Sequence, residues 1–195
     1  MAALVLGSAS PRRAQLLAQL GLEFDTAAAD IDETPRPGEA AIDYVERMAR
    51  EKAVALAHDH ADSVLLTADT TVILDGRALG KPRDRDDARH MLQAMSGRSH
   101  TVCTALFALG AAQREQCCVR TTVEMIELSP VLVDAYLATD EPWDKAGAYG
   151  IQGLAGSFVR RIDGSVTNVI GLPQAETREL LARMGMRALV AGSVV

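Results

Sequence analysis

The sequence predicts an α/β protein in which a mixed sheet is flanked by helices. Short runs of apolar and β-branched residues alternate with segments whose apolar residues recur at helical spacing. The run Ser63–Leu74 is the strongest strand signal, and the Asp75-Gly76 pair that follows it is typical of a hairpin turn. The 195 residues contain no internal repeat or long linker, which predicts one domain over residues 1–186 and a peripheral tail over 187–195.

The composition is that of an ordinary folded protein, since 48% of the residues are hydrophobic. A formal net charge of −6 argues against a nucleic acid polymer or an anionic membrane as the main partner. The three cysteines are odd in number and fall in apolar runs, which favours reduced thiols over a disulfide framework or a zinc site. The first residues lack the features of a signal peptide or a membrane span, so we expect a cytoplasmic protein.

The first predicted unit is a strand, a loop and a helix. Leu4–Leu6 is long enough for a buried strand, and the small residues that follow lead to Pro11, which suits the first position of a helix. Ser10 is placed to cap this helix and Gly21 to end it.

Arg12 and Arg13 lie in the first turn of that helix, where the helix dipole is already positive. Two cations at this point favour a bound anion. Together with the free amides and hydroxyls of the loop that contains Ser8, they would donate hydrogen bonds to phosphate oxygens. A solvated helix start that happens to be basic is an equally open interpretation.

The next segments are a predicted strand, Glu23–Ala28, and a loop, Asp30–Ala40, which we call the acidic loop. Its acids Asp30, Asp32 and Glu33 would usually serve only solvation. Spaced oxygen ligands on a turn also suit a hard divalent cation, which is the less common case.

The helix predicted over Ala40–Ala57 carries a lysine in its apolar arc. At about 100° per residue, Lys52 falls in the middle of that arc, while Arg47 and Arg50 face away from it. Such a lysine commonly extends to the edge of the apolar surface, but it can also be held inward against an acid or a phosphate. Phosphate binding would explain the position of Lys52.

Asp69 lies inside the strand predicted over Ser63–Leu74. A carboxylate in an apolar, β-branched run is costly to bury unless it is paired, metal-bound or open to a site. A structural ion pair is the alternative to function, and we favour function because perturbed acids cluster at sites. Lys81 follows the hairpin in an extended Gly-Lys-Pro segment and by itself indicates little.

Strands and helices continue to alternate towards the C terminus. The pattern predicts a helix over Asp86–Met95, strands over His100–Leu109 and Gln116–Leu128, a helix from Ser129 to about Thr139, a hairpin of Ser157–Ile162 and Val166–Ile170, and a helix from Leu172 to near Gly185. The four histidines have no spacing typical of a metal or catalytic site, so we assign them no chemistry.

The stretch Glu141–Gly156, which we call the glycine-rich segment, has glycines at positions 147, 150, 153 and 156. This spacing disfavours a regular helix or strand and lets the backbone approach a ligand closely. Asp144, Lys145 and Tyr149 could then face a site, and the Gln152 amide, which both donates and accepts, could bind a base edge. A flexible surface loop is the alternative.

Six motifs in order along the chain resemble those of the Maf family of nucleoside triphosphate pyrophosphatases. They are SASPRR at 8–13, AREKA at 49–53, ADTTV at 68–72, GKP at 80–82, DKAGAYGIQG at 144–153 and NVIGLP at 168–173. The DKAGAYGIQG form is similar to that of the subgroup acting on dTTP and UTP, whereas the 7-methyl-GTP subgroup differs there.

The resemblance implies a Maf/ITPase-like fold with a strongly bent central sheet and two lobes around a nucleotide cleft. It implies hydrolysis of dTTP and UTP, including modified pyrimidine nucleotides, to the monophosphate and pyrophosphate. This would be a house-cleaning role that requires Mg²⁺ or Mn²⁺, and the resemblance also implies a homodimer.

The resemblance also implies roles for individual residues. Asp69 matches the proton acceptor, and Asp69 with Glu33 matches the metal site, so that Asp69 is either a direct base or acts through the metal. The positions that match substrate choice are Arg12, Thr70 and Gln152, and those that match phosphate binding are Ser8, Arg13, Lys52 and Lys81.

Two alternatives to this activity stay open at the level of sequence. A pyrophosphatase for 7-methyl-GTP or purine triphosphates would use the same cationic residues. A nucleotide-binding regulator of cell division, active in septum formation and slow in turnover, would need the cations but no acid at position 69. The presence of both acids and cations favours the enzyme.

Overall fold

The computed structural model describes residues 3–186, which form a seven-stranded sheet covered by helices. The elements are β1 (Ala3–Gly7), α1 (Pro11–Ala18), β2 (Asp25–Ala27), α2 (Ala41–Leu56), β3 (Ser63–Leu74), β4 (Arg77–Leu79), α3 (Arg85–Met95), β5 (Ser99–Leu109), β6 (Arg114–Met125), α4 (Pro130–Tyr136), β7 (Val159–Asp163), α5 (Val166–Ile170) and α6 (Gln174–Arg183). Two 3-10 turns, Ala146–Ala148 and Leu154–Phe158, begin within the glycine-rich segment. The predicted tail, 187–195, lies outside the described residues.

The sheet is mixed, as predicted. Its strand order is β2-β1-β3-β5-β6-β7, and β4 pairs with the C-terminal end of β3. β1 runs parallel to β2 and β3, with Leu4 opposite Val64, while β3, β5, β6 and β7 pair in antiparallel fashion. The α/β class and the mixed sheet flanked by helices are therefore confirmed, whereas the bend and the two lobes stay predictions.

Helices cover both faces of the sheet. α2 covers one face, where Ala49 packs in a cluster with Phe107 of β5. α1 and α6 cover the other face, where Leu17 and Leu180 pack in a cluster with Leu66 of β3. Successive side chains of a strand point to opposite faces, so a strand covered on both faces is apolar almost throughout. This explains the long apolar run of β3.

Most predicted elements are present with small shifts at their ends. β3 covers the same residues as predicted, and Asp75 and Gly76 join it to β4. Both turn residues have positive φ, +51° and +77°, as the tight hairpin turn favoured by Asp-Gly requires. The strand predicted over Glu23–Ala28 is shorter, at Asp25–Ala27.

The hairpin predicted over residues 157–170 is wrong in its second strand, because Val166–Ile170 is the helix α5. Ser165 caps this helix by accepting a hydrogen bond from the Asn168 N–H at 3.2 Å. The buried Asn168 amide donates to the Val102 carbonyl at 3.1 Å and to Thr121 Oγ1 at 2.9 Å. These bonds outweigh the strand preference of the β-branched residues in the segment.

Among the described residues, the cysteines and the apolar character of the helices bear on disulfides and membrane spans. Cys103, Cys117 and Cys118 are free thiols, and only Cys103 is fully buried. None of the helices within residues 3–186 has the length and apolar character needed to cross a bilayer.

Replacing Asn168 by alanine tests how strongly its side chain holds α5 to the sheet. The change removes both buried hydrogen bonds, so we expect the free energy of unfolding to fall by about 2 kcal/mol. Urea denaturation measures the loss. Val166→Ala, on the exposed side of the same helix, is the matched control and should shift stability by no more than about 0.5 kcal/mol. Equal, small effects of the two changes would contradict the assignment.

Candidate functional site

One cleft gathers the residues that the sequence analysis selected for a site. It has a volume of about 850 Å³ and is lined by the loop after β1, the first turn of α1, part of β3 and the glycine-rich segment. All nine predicted site residues line it: Ser8, Arg12, Arg13, Glu33, Lys52, Asp69, Thr70, Lys81 and Gln152. The roles assigned to them stay predictions.

Lys52 lies between two carboxylates, and we call these three residues the Lys52 cluster. Lys52 Nζ is 2.6 Å from Asp69 Oδ1 and 2.8 Å from Glu33 Oε1. The side chains of Lys52 and Asp69 are 12% and 11% exposed, whereas that of Glu33 is 50% exposed. Burial would raise the pKa of Glu33, but the hydrogen bond and charge of Lys52, aided by Lys81 and Arg13, hold it below its usual value. The lysine is therefore held inward against acids.

Strand alternation explains why Asp69 meets α2. Thr67 points towards α2, where its hydroxyl donates to the Ala49 carbonyl at 2.6 Å. Asp69 lies two residues further along β3 and therefore points to the same face. Lys52 lies one helical turn after Ala49 on α2. Asp69 is therefore both paired in an ion pair and open to the cleft.

Arg13 is held by neutral groups. Its Nε donates to the Gly171 carbonyl at 2.9 Å, Nη2 to Thr70 Oγ1 at 3.1 Å and Nη1 to Ser8 Oγ at 3.4 Å. Burial lowers the pKa of Arg13, and the negative charge of Asp69 partly offsets that effect. Because a carbonyl and two hydroxyls do not neutralise a guanidinium, the Arg13 charge can still attract an anion in the cleft.

Ser10 does not cap α1 as predicted. It occupies the N-cap position, but its side chain makes no capping hydrogen bond, and its N–H donates to Ser8 Oγ at 3.1 Å. The hydrogen bond inside the predicted loop is therefore made by the side chain of Ser8, not by that of Ser10. The first N–H groups of α1 keep their capacity to donate, and the residues that begin the helix line the cleft.

A chain of ion pairs joins α1 to the glycine-rich segment. Arg12 Nη1 lies 2.9 Å from Asp144 Oδ2, and Lys145 Nζ lies 2.6 Å from Asp144 Oδ1. Burial would raise the pKa of Asp144, but hydrogen bonds from Lys145 and Arg12 lower it to about 2. Arg12 is thereby held at the mouth of the cleft.

The cleft is locally positive although the whole chain carries a net charge of −6. Lys81 and Gln152 lie on exposed stretches of its lining. Five cationic side chains line the cleft, namely Arg12, Arg13, Lys52, Lys81 and Lys145, together with the four acids Glu33, Asp69, Glu141 and Asp144. Arg12, Lys52 and Lys145 are paired with these acids, whereas Arg13 and Lys81 make no ion pair with another described residue, so these two cations can attract an anionic ligand.

Arg47 is a residue whose position the sequence analysis predicts wrongly. It does not face away from the protein, since its side chain is 6% exposed and binds Glu39 through two hydrogen bonds of 2.6 and 2.7 Å. It also donates to the Thr34 carbonyl at 3.2 Å, next to Glu33, and Tyr44 donates to the Glu33 carbonyl at 3.0 Å. The acidic loop folds over this side of α2, which helical spacing alone does not show.

His100 supports the site from the core. It is buried, and its Nε2 lies 2.6 Å from the hydroxyl of Tyr149, which lines the cleft. Burial lowers the pKa of His100 to about 4, so the ring is neutral at pH 7. The sequence offered no spacing signal for this pair, because the two residues come from separate elements.

The acids of the Lys52 cluster fit a divalent cation that is partly held by phosphate oxygens. Within residues 3–186, no three Asp, Glu, His or Cys side chains gather as a complete metal site. Asp69 and Glu33 nevertheless converge, since both contact Lys52 Nζ. Mg²⁺ is commonly bound by one or two carboxylates together with substrate phosphates, and these two acids suit that arrangement.

Comparison with known proteins gives a family and close relatives. The sequence model of the Maf-like protein family matches residues 3–184. A dTTP/UTP pyrophosphatase of Hahella chejuensis is 53% identical, covering 94% of this chain and 93% of that protein. The dTTP/UTP pyrophosphatase of Shewanella oneidensis is 50% identical with coverages of 94% and 98%. That of Myxococcus xanthus is 52% identical with coverages of 94% and 93%.

Arg47→Met tests the contact that holds the acidic loop. Hydrogen bonds from Arg47 lower the pKa of Glu39 from 4.5 to about 2. A carboxylate whose pKa is depressed by folding contributes stability above its unfolded pKa, and this contribution is lost as the pH falls through the folded pKa. We therefore expect the variant to be less stable than the wild type above about pH 4.5 and the difference to shrink towards pH 2.

Urea denaturation over this pH range measures the difference in unfolding free energy. Arg98→Met is the control, because its partner Asp75 is 67% exposed and surface pairs contribute little. A destabilisation by Arg47→Met that does not vary with pH would show that the Glu39 pair is not its source.

Proposed function

The chain belongs to the Maf-like protein family, and from this premise we propose that it hydrolyses dTTP and UTP to the monophosphate and pyrophosphate. The observation that carries the proposal is the cleft, which is lined by five cationic side chains and by the buried acid of the Lys52 cluster. The cations suit a triphosphate, and the acid suits the activation of water. Two relatives that are 53% and 50% identical to this chain are named dTTP/UTP pyrophosphatase.

The triphosphate binds along the part of the cleft lined by Ser8, Arg12 and Arg13, which we call the basic wall. Arg13 donates to a phosphate oxygen, because its charge is compensated only by neutral partners, and Ser8 and the first amides of α1 add further donors. Arg12 and Lys81 contribute charge nearer the solvent. Lys52 donates to the phosphates once they approach the acids that it contacts.

Asp69 accepts a proton from the water that attacks the α-phosphorus, and pyrophosphate leaves. Lys52 Nζ, at 2.6 Å from Asp69 Oδ1, orients the carboxylate. Asp69 and Glu33 are also the residues that would hold Mg²⁺ or Mn²⁺, and such an ion, when bound, supplies positive charge to the phosphate oxygens. The support for this arrangement is that both acids line the cleft and contact the same Lys52 Nζ, so they lie close enough together to share an ion beside that ammonium group.

Selection of the pyrimidine base involves Gln152, Thr70 and Arg12. Gln152 lies on the lining of the cleft with its side chain exposed, so its amide is free to bind a base edge. Thr70 accepts from Arg13 at 3.1 Å and shares a hydrogen bond with Thr104 at 2.9 Å. Thr70 therefore affects substrate choice through the position of Arg13.

The cellular role that fits this reaction is the removal of surplus or modified pyrimidine nucleotides in the cytoplasm. The free thiols agree with a reducing compartment. We treat residues 1–186 as one catalytic domain, because the seven strands belong to one sheet and the family match covers residues 3–184.

Incubation with Mg²⁺ and a panel of nucleotides tests the reaction. We expect dTTP and UTP to give the monophosphate and pyrophosphate, with slower cleavage of CTP, ATP, GTP and 7-methyl-GTP, resolved by chromatography. Diphosphate and inorganic phosphate as products would contradict attack at the α-phosphorus. Preferred cleavage of 7-methyl-GTP or purines would reject the pyrimidine assignment. Retention of uncleaved nucleotide would indicate a regulator.

Asp69→Asn tests the proton acceptor. The amide keeps the size of the side chain but cannot take a proton, so we expect kcat for dTTP to fall by at least about 100-fold. Asp75→Asn, in the turn that follows the same strand, is exposed and serves as the control with activity near that of the wild type. Near-normal turnover of a folded, nucleotide-binding Asp69→Asn protein would refute the role of Asp69.

A further inference from the structure

Glu141 makes an unusual set of contacts at the start of the glycine-rich segment. Its Oε2 accepts a hydrogen bond from the Leu154 N–H at 2.7 Å. Its Oε1 accepts from the Ala155 N–H at 3.1 Å and from the Tyr136 hydroxyl at 3.2 Å. One carboxylate thus accepts hydrogen bonds from three groups. Two are backbone amides that follow Gln152 closely in the chain, and the third is the hydroxyl of a buried tyrosine in α4.

The backbone of the segment closes directly on this carboxylate. A Cβ at Gly153 would collide with Glu141 Oε2, and one at Gly150 would lie 2.6 Å from Lys145 Cε. Both contacts are with the ends of flexible side chains, so a larger residue at either position would push Glu141 or Lys145 aside. The path of residues 150–155 is therefore shaped by Glu141 and by the aliphatic part of Lys145.

Glu141 also connects this segment to the basic wall of the cleft. Its backbone carbonyl accepts a hydrogen bond from Lys145 Nζ at 2.6 Å, and Lys145 in turn pairs with Asp144. Asp144 pairs with Arg12 in the first turn of α1. A shift of Glu141 would therefore change the distance between Gln152 and the basic wall.

The position of this segment matters because a glutamine amide is ambiguous. The edge of thymine or uracil offers an accepting oxygen beside a donating N–H, and cytosine offers the reverse order. An amide that rotates by half a turn matches either edge, so it discriminates only if its approach to the base is fixed. Gln152 is exposed, and the course of its backbone sets that approach.

We propose that Glu141 is a positioning residue for base selection: its carboxylate fixes the backbone that presents the Gln152 amide to the pyrimidine. The inference rests on the proposed function, since it concerns the choice between dTTP or UTP and CTP. Glu141 also lines the cleft, but both of its carboxylate oxygens are bound to groups of the protein, so we assign its effect on substrate to the position of Gln152.

Glu141→Gln is the sharpest test, because it keeps the shape of the side chain and replaces one accepting oxygen by an NH₂ group. That group cannot accept from the amides of residues 154 and 155, so one of them loses its partner. We expect the ratio of kcat/KM for dTTP over CTP to fall about tenfold, with the loss expressed in KM more than in kcat.

A double-variant cycle with Gln152→Ala shows whether the effect passes through Gln152. We expect Gln152→Ala to lower the dTTP-to-CTP ratio at least as much, and Glu141→Gln to add nothing further when Gln152 is already alanine. Asp140→Asn, a neighbouring exposed acid, is the matched control and should keep the wild-type ratio. Additive effects of the two changes would overturn the proposal.

A purely structural role gives a different result from the positioning role. If Glu141→Gln reduces turnover of all nucleotides equally and leaves the ratio unchanged, the proposal is wrong. If Glu141→Gln does not fold, as judged by its thermal melting, Gly153→Ala replaces it, since that change crowds the same carboxylate oxygen. Gly153→Ala must then lower the ratio, and an unchanged ratio overturns the proposal.

Failure of the proposed function is recognised separately in the wild-type protein. A wild type that cleaves no pyrimidine triphosphate between the α- and β-phosphates refutes the reaction. A wild type that prefers dTTP while Glu141→Gln keeps this preference refutes only the positioning role of Glu141.

Discussion

The ion cluster around Lys52 is the interaction on which the rest of the site depends. A carboxylate on the buried strand β3 would be costly without a partner, and Lys52 supplies one at 2.6 Å. The same ammonium reaches Glu33 at 2.8 Å and so draws the acidic loop to the cleft. Strand, helix and loop therefore meet at one charged point, which stays paired before any ligand binds and offers acids and a cation to a nucleotide.

The parts of the cleft on either side of the Lys52 cluster differ in their secondary structure. The proposed phosphate end is built on regular structure, with Arg13 held by β3, the loop after β1 and the residue that follows α5. The proposed base end is the glycine-rich segment, which has little regular structure. Its residues Glu141 and Lys145 form hydrogen bonds within the segment, and Tyr149 bonds to His100 in the core. The Arg12 and Asp144 pair joins the two ends. This division suits an enzyme that keeps one reaction while its base preference is set by a separate segment.

The α/β class, most elements and the candidate residues Arg13, Lys52 and Asp69 could be predicted from local signals. Thr70 and the role of Lys81 came only from the family resemblance. The acid inside β3 and the lysine inside an apolar arc were visible from spacing alone. α5 was mistaken for a strand because its residues are β-branched, whereas the Asn168 hydrogen bonds that hold it as a helix come from distant strands. Arg47 was misplaced because its partner Glu39 lies in a loop whose path over α2 depends on tertiary contacts.

The most direct test of the central claim is hydrolysis of dTTP in ¹⁸O-labelled water, followed by mass spectrometry of both products. In the proposed mechanism the acid and the cations serve attack of water at the α-phosphorus, so we expect the label to enter the thymidine monophosphate and pyrophosphate to stay unlabelled. Label in pyrophosphate with an unlabelled monophosphate would mean that water attacks the β-phosphorus. That result would contradict the proposed position of the triphosphate beside Asp69 and the Lys52 cluster.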